Sequence, residues 1–238
     1  MPRIFDCVLL DAELDLLEAR FREYEDIPEV THVIVEAPVT HQGEPKPLHF
    51  WDNRKDRFAG WHGRWTHVRV EPHELPDADP RARKNALRDY LAHGYSGGPD
   101  DIIMHGGIDE IPSAQVVAGL AAGEIPLPVA LEMRWCAYRA GLVHPDPWRG
   151  TVAQARKDTG SFTSLRETRA ALPVIVSAGT RLSMMGEASQ QQADGTVLHP
   201  DGNVLRDAAP DETWPRRVRE GGCPASWLGR LVITRRAS

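Results

Sequence analysis

No apolar run in the 238 residues approaches the length needed to cross a bilayer. Met1-Pro2-Arg3 leads into a short strand-like segment without the apolar core of a signal peptide, so a cytoplasmic protein with no membrane contact is expected. Cysteine is scarce: Cys7, Cys136 and Cys223 form an odd set with no CxxC or zinc-like spacing, which predicts reduced, mostly buried thiols. The Gly-rich dinucleotide fingerprint, the phosphate loop ending in Gly-Lys-Ser/Thr, the His-Glu-x-x-His zinc helix and the Gly-x-Ser-x-Gly elbow are all missing. Their chemistries lose their usual signatures.

Positive charge is outweighed, with 28 Lys and Arg against 34 Asp and Glu and a formal charge of -6. The surface as a whole therefore offers no broad attraction to nucleic acid or an anionic membrane. One segment departs from this. Arg216, Arg217, Arg219, Arg230, Arg235 and Arg236 crowd the C-terminus with only Glu220 opposing them, either as a solvated basic tail or as a phosphate contact.

What is present is the composition of a folded chain, 41% hydrophobic and 26% charged. Its length suits a single domain, 1-238. Ile4 to Leu10 suits a buried strand, and Leu14, Leu17, Phe21 and Tyr24 then fall on one face of a helix. Thr31 to Ala37 and Thr66 to Val70 are β-branched runs that predict two more strands. Asp79-Pro80 starts a helix with an N-cap carboxylate and a proline at its first position. Asp101 to Met104 predicts a fourth strand, followed by His105-Gly106-Gly107-Ile108-Asp109-Glu110-Ile111-Pro112 and a helix capped by Ser113. Val129 to Arg139 alternates like a strand, and Thr151 to Val152 and Val174 to Ser177 are further strand candidates. Alternating strands and helices imply an α/β fold with right-handed crossovers and a largely parallel sheet, with ligands outside the carboxyl ends of the strands.

The acidic turn lies at such an end. Asp109 and Glu110 are hard oxygen ligands of the kind that hold Mg²⁺ or Mn²⁺ against a diphosphate, although acidic pairs also begin ordinary surface turns. The loop Thr40 to Leu48 carries His41 and Lys46 as partners for an anionic ligand, and Arg83-Lys84-Asn85 lies on the helix leading toward the acidic strand.

Taken together, these segments resemble glycosyltransferase family 17, the β-1,4-mannosyl-glycoprotein N-acetylglucosaminyltransferase-like family, as a divergent bacterial or viral member. The resemblance is carried by Phe5-Asp6-Cys7, by Glu13 to Glu18 with Arg20, by Val33 to Glu36, and by Thr40-His41 with Gly43 and Pro45 to Leu48. It continues through Arg83 with Asn85-Ala86-Leu87 and through Asp109-Glu110-Ile111-Pro112. Beyond these it is faint, resting on Pro147-Trp148 with Gly150 and on Ala178-Gly179 with Ser183, and the C-terminal part of the domain diverges from about residue 179.

The resemblance implies a GT-A-like (Rossmann-like) fold, with a mixed, mostly parallel sheet flanked by helices. It also implies an inverting transfer of a hexosyl or N-acetylhexosaminyl group from a nucleotide-sugar donor, UDP-sugar favoured, to an acceptor hydroxyl on a glycan or a protein. Glu110, Asp146 and Glu187 are the expected candidates for the base. Glu13, Glu36, His41, Lys46, Arg83, Asn85, Asp109 and Arg181 are expected around the donor, and Trp148 stacks on a sugar. Asp109 is the expected metal ligand.

Two departures bear on that metal. Where the family has Asp-x-Asp-Glu this chain has Gly107-Ile108-Asp109-Glu110, and where the family has Trp-His it has Thr180-Arg181. Mn²⁺ or Mg²⁺ dependence is thus set against a metal-free site in which Arg181 or C-terminal arginines stabilise the leaving diphosphate. Two further readings follow from the same losses and the basic tail: a binding relative impaired in catalysis, and a transferase acting on modified DNA bases.

Overall fold

A computed structural model describes residues 1–77, 79–138, 141–185, 190–191, 197–201, 203–208 and 215–216. Four parallel strands build its first half: β1 (Ile4–Leu9), β2 (Val30–Glu36), β3 (Trp65–Arg69) and β4 (Ile102–His105), in the order β3, β2, β1, β4. Helix α1 (Leu14–Glu23) links β1 to β2, the short α2 (His49–Asn53) lies between β2 and β3, and α3 (Pro80–Asp89) precedes β4. The expected cap of α3 is present, with Asp79 accepting from the Arg81 amide at 2.9 Å.

The second half reverses direction. After β5 (Glu110–Pro112) and α4 (Ala114–Ala122), capped by Ser113 as expected, the chain forms β6 (Val129–Ala137), β7 (Leu142–Val143) and β8 (Trp148–Ala155). Strand β8 runs antiparallel to both β4 and β6 and so joins the two halves into one mixed sheet. Helix α5 (Phe162–Thr168), β9 (Val174–Ile175) and β10 (Gly179–Ser183) follow. Strand β10 pairs parallel with β6 and antiparallel with β5, which brings residue 181 beside the acidic turn. The mixed, mostly parallel sheet expected from the sequence is present: β3, β2, β1 and β4 run parallel, β9 and β10 pair parallel with β6, and β8 introduces the reversal.

Side-chain alternation along β1 explains how the sheet holds its helices. Phe5 and Cys7 join Val33, Val35, Ile103 and Phe162 on one face, whereas Val8 joins Leu17, Phe21 and Ile34 on the α1 face. Asp6 also points to the α1 side and is fully buried. It meets Arg20 of α1 and, directly across the parallel register, His32 of β2, whose Nδ1 is 2.9 Å away. The Arg20 guanidinium reaches onward to the main-chain carbonyls of Gly107, at 3.3 Å, and Glu110. A charge pair of this kind must be fully hydrogen-bonded to be tolerated in a core.

Cys7 and Cys136 are buried, in line with the sequence; Cys223 lies outside the described residues. Among the described residues no helix is long and apolar enough to cross a membrane.

Candidate active site

A cavity of about 780 Å³ opens at the carboxyl ends of β1, β2 and β4, bounded on the far side by β10 and by Met184 and Met185. That volume falls in the range of small-molecule and cofactor sites. Glu13, His41, Lys46, Asp109, Glu110 and Arg181 of the expected set line it.

Asp109 and Arg181 form an ion pair, Nε to Oδ2 2.8 Å. Burial raises the Asp109 carboxyl above its ordinary range, and the Arg181 charge opposes that rise. The pair exists because β10 lies against β5 in register, Arg181 opposite Glu110, placing the guanidinium over the turn. Arg181 also stacks over Trp148, 3.8 Å from its ring centroid, and lies 4.7 Å from that of Trp135.

Glu110 has a different environment. Its carboxylate is buried and accepts two bonds from Arg166, one of them at 2.8 Å. It accepts a third from Trp148 Nε1 at 2.8 Å and a fourth from Thr151 Oγ1 at 3.2 Å. Burial alone would raise this group, but the Arg166 bonds and charge, with Trp148, hold it down to about 2. Gly150 makes room for it: a Cβ there would sit 2.5 Å from Glu110 Oε2 and 2.6 Å from Trp148 Nε1.

His105, at the end of β4, lines the cavity and is almost fully buried. Its Nδ1 lies 2.9 Å from the Cys7 carbonyl, so that nitrogen carries the proton and Nε2 is left as an acceptor without a partner among the described residues. Burial pushes the imidazole pKa down to about 3.

The remaining expected residues divide. Lys46 Nζ donates to the Asp11 carbonyl at 2.9 Å and lies 3.8 Å from Glu36. Glu13 accepts from the amides of Asp11 and Ala12 at the start of α1, within the cavity rim. Glu36 is buried beneath the loop, accepting from the Phe50 amide at 3.1 Å with His67 Nε2 3.3 Å away. Arg83 braces the same loop through the His41 and Asp77 carbonyls, both at 2.7 Å. Asn85 accepts from Arg88 Nη1 at 2.7 Å. Neither Glu36, Arg83 nor Asn85 lines the cavity, and nor do Asp146 and Trp148. Asp146 is exposed after β7. Glu187 and the arginines beyond Arg216 lie outside the described residues.

Sequence reasoning missed Arg88, Arg166 and His105, all of which line the cavity. Arg166 is on α5, 56 positions from Glu110, and no local pattern links the two. For His105 a signal existed: a polar ring ending an otherwise apolar strand at a carboxyl edge.

Fold and site together define an α/β protein with a charged cavity at the carboxyl ends of its parallel strands. Residues 1–184 match the profile of Glycosyltransferase family 17, and the chain belongs to that family. No curated protein gives a significant match. Among solved structures, a mannosyltransferase from Pyrobaculum calidifontis, PcManGT, in complex with GDP-Man and Mn²⁺, is similar at 14% identity and a TM-score of 0.44, over 81% of this chain and 58% of that one. An active-site mutant of LgtC is similar at 11% identity and a TM-score of 0.37, over 71% of this chain and 65% of that one. A putative nucleotide-diphospho-sugar transferase from Desulfovibrio desulfuricans is similar at 11% and 0.37, over 77% and 82%. The chain thus spans less than two thirds of the length of the first two.

Proposed function

We propose that the protein transfers a sugar from a nucleoside-diphosphate donor to an acceptor hydroxyl, with inversion at the anomeric carbon. The observation that carries this reading is the Asp109–Arg181 pair, 2.8 Å apart, lining a cavity of about 780 Å³ at the carboxyl edge of the sheet in a family 17 chain. Departure of the sugar leaves charge on the diphosphate, and donors aimed at that charge lower the barrier. Arg181 supplies such a donor, and Asp109 holds its Nε so that the remaining guanidinium nitrogens are free to turn to phosphate oxygens.

A Mg²⁺ or Mn²⁺ held on the acidic turn would need several hard oxygen ligands. The turn offers Asp109, already paired with Arg181; the Glu110 carboxylate is engaged by Arg166, Trp148 and Thr151; and Gly107 stands at the family's first acidic position. These residues do not fit a cation held by the protein there, so the stabilising charge is assigned to guanidinium groups. The same bonds assign Glu110 to holding Arg166 and Trp148, because a buried carboxylate with its oxygens engaged has no free lone pair facing an acceptor.

The test is a thermal-shift screen against UDP-, GDP-, CMP- and dTDP-sugars, each with EDTA and with Mn²⁺, run beside a transfer and hydrolysis assay. One donor is expected to raise the melting temperature selectively and in EDTA. No shift with any nucleotide sugar would overturn the reading. A shift without turnover toward any acceptor would convert it to donor binding alone.

A further inference from the structure

On the edge of β6 remote from β4 a second group of side chains converges. The chain leaves β7 at His144, whose imidazole is buried and stacked on Trp135 with ring centroids 4.2 Å apart. Residues 203–208 fold back onto the same edge: Arg206–Asp207 pairs antiparallel with β7, and the Ala208 amide donates to the Gly141 carbonyl at 2.7 Å. That return brings in His199, edge-on to Trp135 at 4.6 Å, and Asp201, fixed by the Asn203 amide donating to Oδ1 at 3.0 Å. His144 Nε2 lies 3.0 Å from Asp201 Oδ2, and His199 Nδ1 lies 2.9 Å from Asp201 Oδ1.

We propose that His144, His199 and Asp201 form a binding site for one divalent transition-metal ion of the zinc class. This proposal does not depend on the donor reading, because none of the three residues lines the donor cavity. One ligating atom from each lies within 4.8 Å of the others. Ligands about 2.0–2.2 Å from a zinc ion stand about 3.3–3.5 Å apart in a tetrahedron. The group is a modest rearrangement away from that spacing, with the partly exposed His199 and Asp201 on the side that adjusts.

The chemistry of the donors selects the metal. Two imidazoles and a carboxylate suit zinc-class ions, whereas Mg²⁺ and Ca²⁺ prefer sets made of oxygen. The other ring nitrogen is held as well: His144 Nδ1 lies 3.1 Å from the Asp146 carbonyl and accepts from the Asp146 amide at 3.0 Å, which orients the ring with Nε2 toward Asp201. With three protein ligands the ion keeps at least one position for water. Bound there, it would clasp His199 and Asp201 to the end of β7, and Trp135, which contacts both imidazoles, is the same ring that lies 4.7 Å from the Arg181 guanidinium.

The experiment uses the full chain, stripped with chelator and returned to chelator-free buffer, and titrated calorimetrically with Zn²⁺, Mn²⁺ and Mg²⁺ separately. Expected are one Zn²⁺ per chain, a higher melting temperature and a change in tryptophan fluorescence, with Mg²⁺ far weaker. His199→Ala and Asp201→Ala, both at partly or fully exposed positions, should bind Zn²⁺ at least about tenfold more weakly while keeping the wild-type circular dichroism. Asp109→Asn should bind it as the wild type does. The absence of saturable Zn²⁺ binding would reduce the cluster to a hydrogen-bonded His–Asp group and overturn the proposal. Equal affinity in both cluster variants, or loss in Asp109→Asn, would place the ion elsewhere and overturn it equally.

Discussion

Arg181 and Asp109 are joined at 2.8 Å across the β10–β5 pairing, so the acid of the turn and the guanidinium that reaches it are set by one stretch of backbone register. Arg181→Ala is expected to weaken donor binding about ten- to a hundredfold, the scale of one charge-assisted hydrogen bond of about 1.5–3 kcal/mol. Arg181→Lys should recover only part of it, since an ammonium cannot hold Asp109 and a phosphate in one plane. Asp109→Asn is expected to keep EDTA-resistant donor binding while slowing transfer. Isothermal titration with the preferred nucleotide sugar, beside initial rates, checks all three variants.

Glu110 and Arg166 form the most deeply set ion pair of the cavity wall. Glu110→Gln should destabilise the fold by about 3 kcal/mol, at the low end for a broken buried pair because Arg166 retains some solvent contact. Gly150→Ala should disturb the same carboxylate by a different route, since its methyl group would meet Glu110 and Trp148 at 2.5–2.6 Å. Urea denaturation of both variants measures the loss. A Gly150→Ala midpoint equal to that of the wild type would mean the strand moves aside freely.

Acid should weaken the protein in two overlapping steps. The folded state holds His105 near 3 against an ordinary 6.5, so as pH falls below 6.5 the unfolded chain takes up a proton that the folded chain refuses, and stability drops. Glu110 is held near 2 against 4.5, and its stabilisation is present above 4.5 and lost as pH falls toward 2. His105→Asn, whose amide can still donate to the Cys7 carbonyl, should flatten the dependence between 6.5 and 4.5 by up to about 1.4 kcal/mol per pH unit. His32, also lowered by burial, keeps part of the slope in that variant. Denaturation midpoints across this range provide the comparison.

Much of this site was legible in the chain itself. Strands β1, β2 and β4, the caps Asp79 and Ser113, and the acidic turn all lie in patterns that local physics dictates within a few residues. Arg181 was also visible, as the residue standing where the family carries histidine. The partner of Glu110 was not, because α5 is short and its Arg166 meets the turn only through tertiary packing. The reversal at β8 escaped for a related reason: of Trp148–Ala155, only Thr151 and Val152 have strong strand character, and the Gly150 within the strand is explained by Glu110 rather than by the backbone. Glu36 and Arg83 were expected around the donor, but their hydrogen bonds go to the Phe50 amide and the His41 carbonyl rather than into the cavity, a difference that only the packed fold displays.

The fully buried Arg20 has a consequence for how the cavity behaves before anything enters it. By fastening Asp6 of the central strand to the carbonyls of Gly107 and Glu110, it ties the acidic turn to the most protected part of the sheet. The turn is thereby shaped when the chain folds, so a ligand entering the cavity, such as the proposed donor, would spend little of its affinity on arranging it.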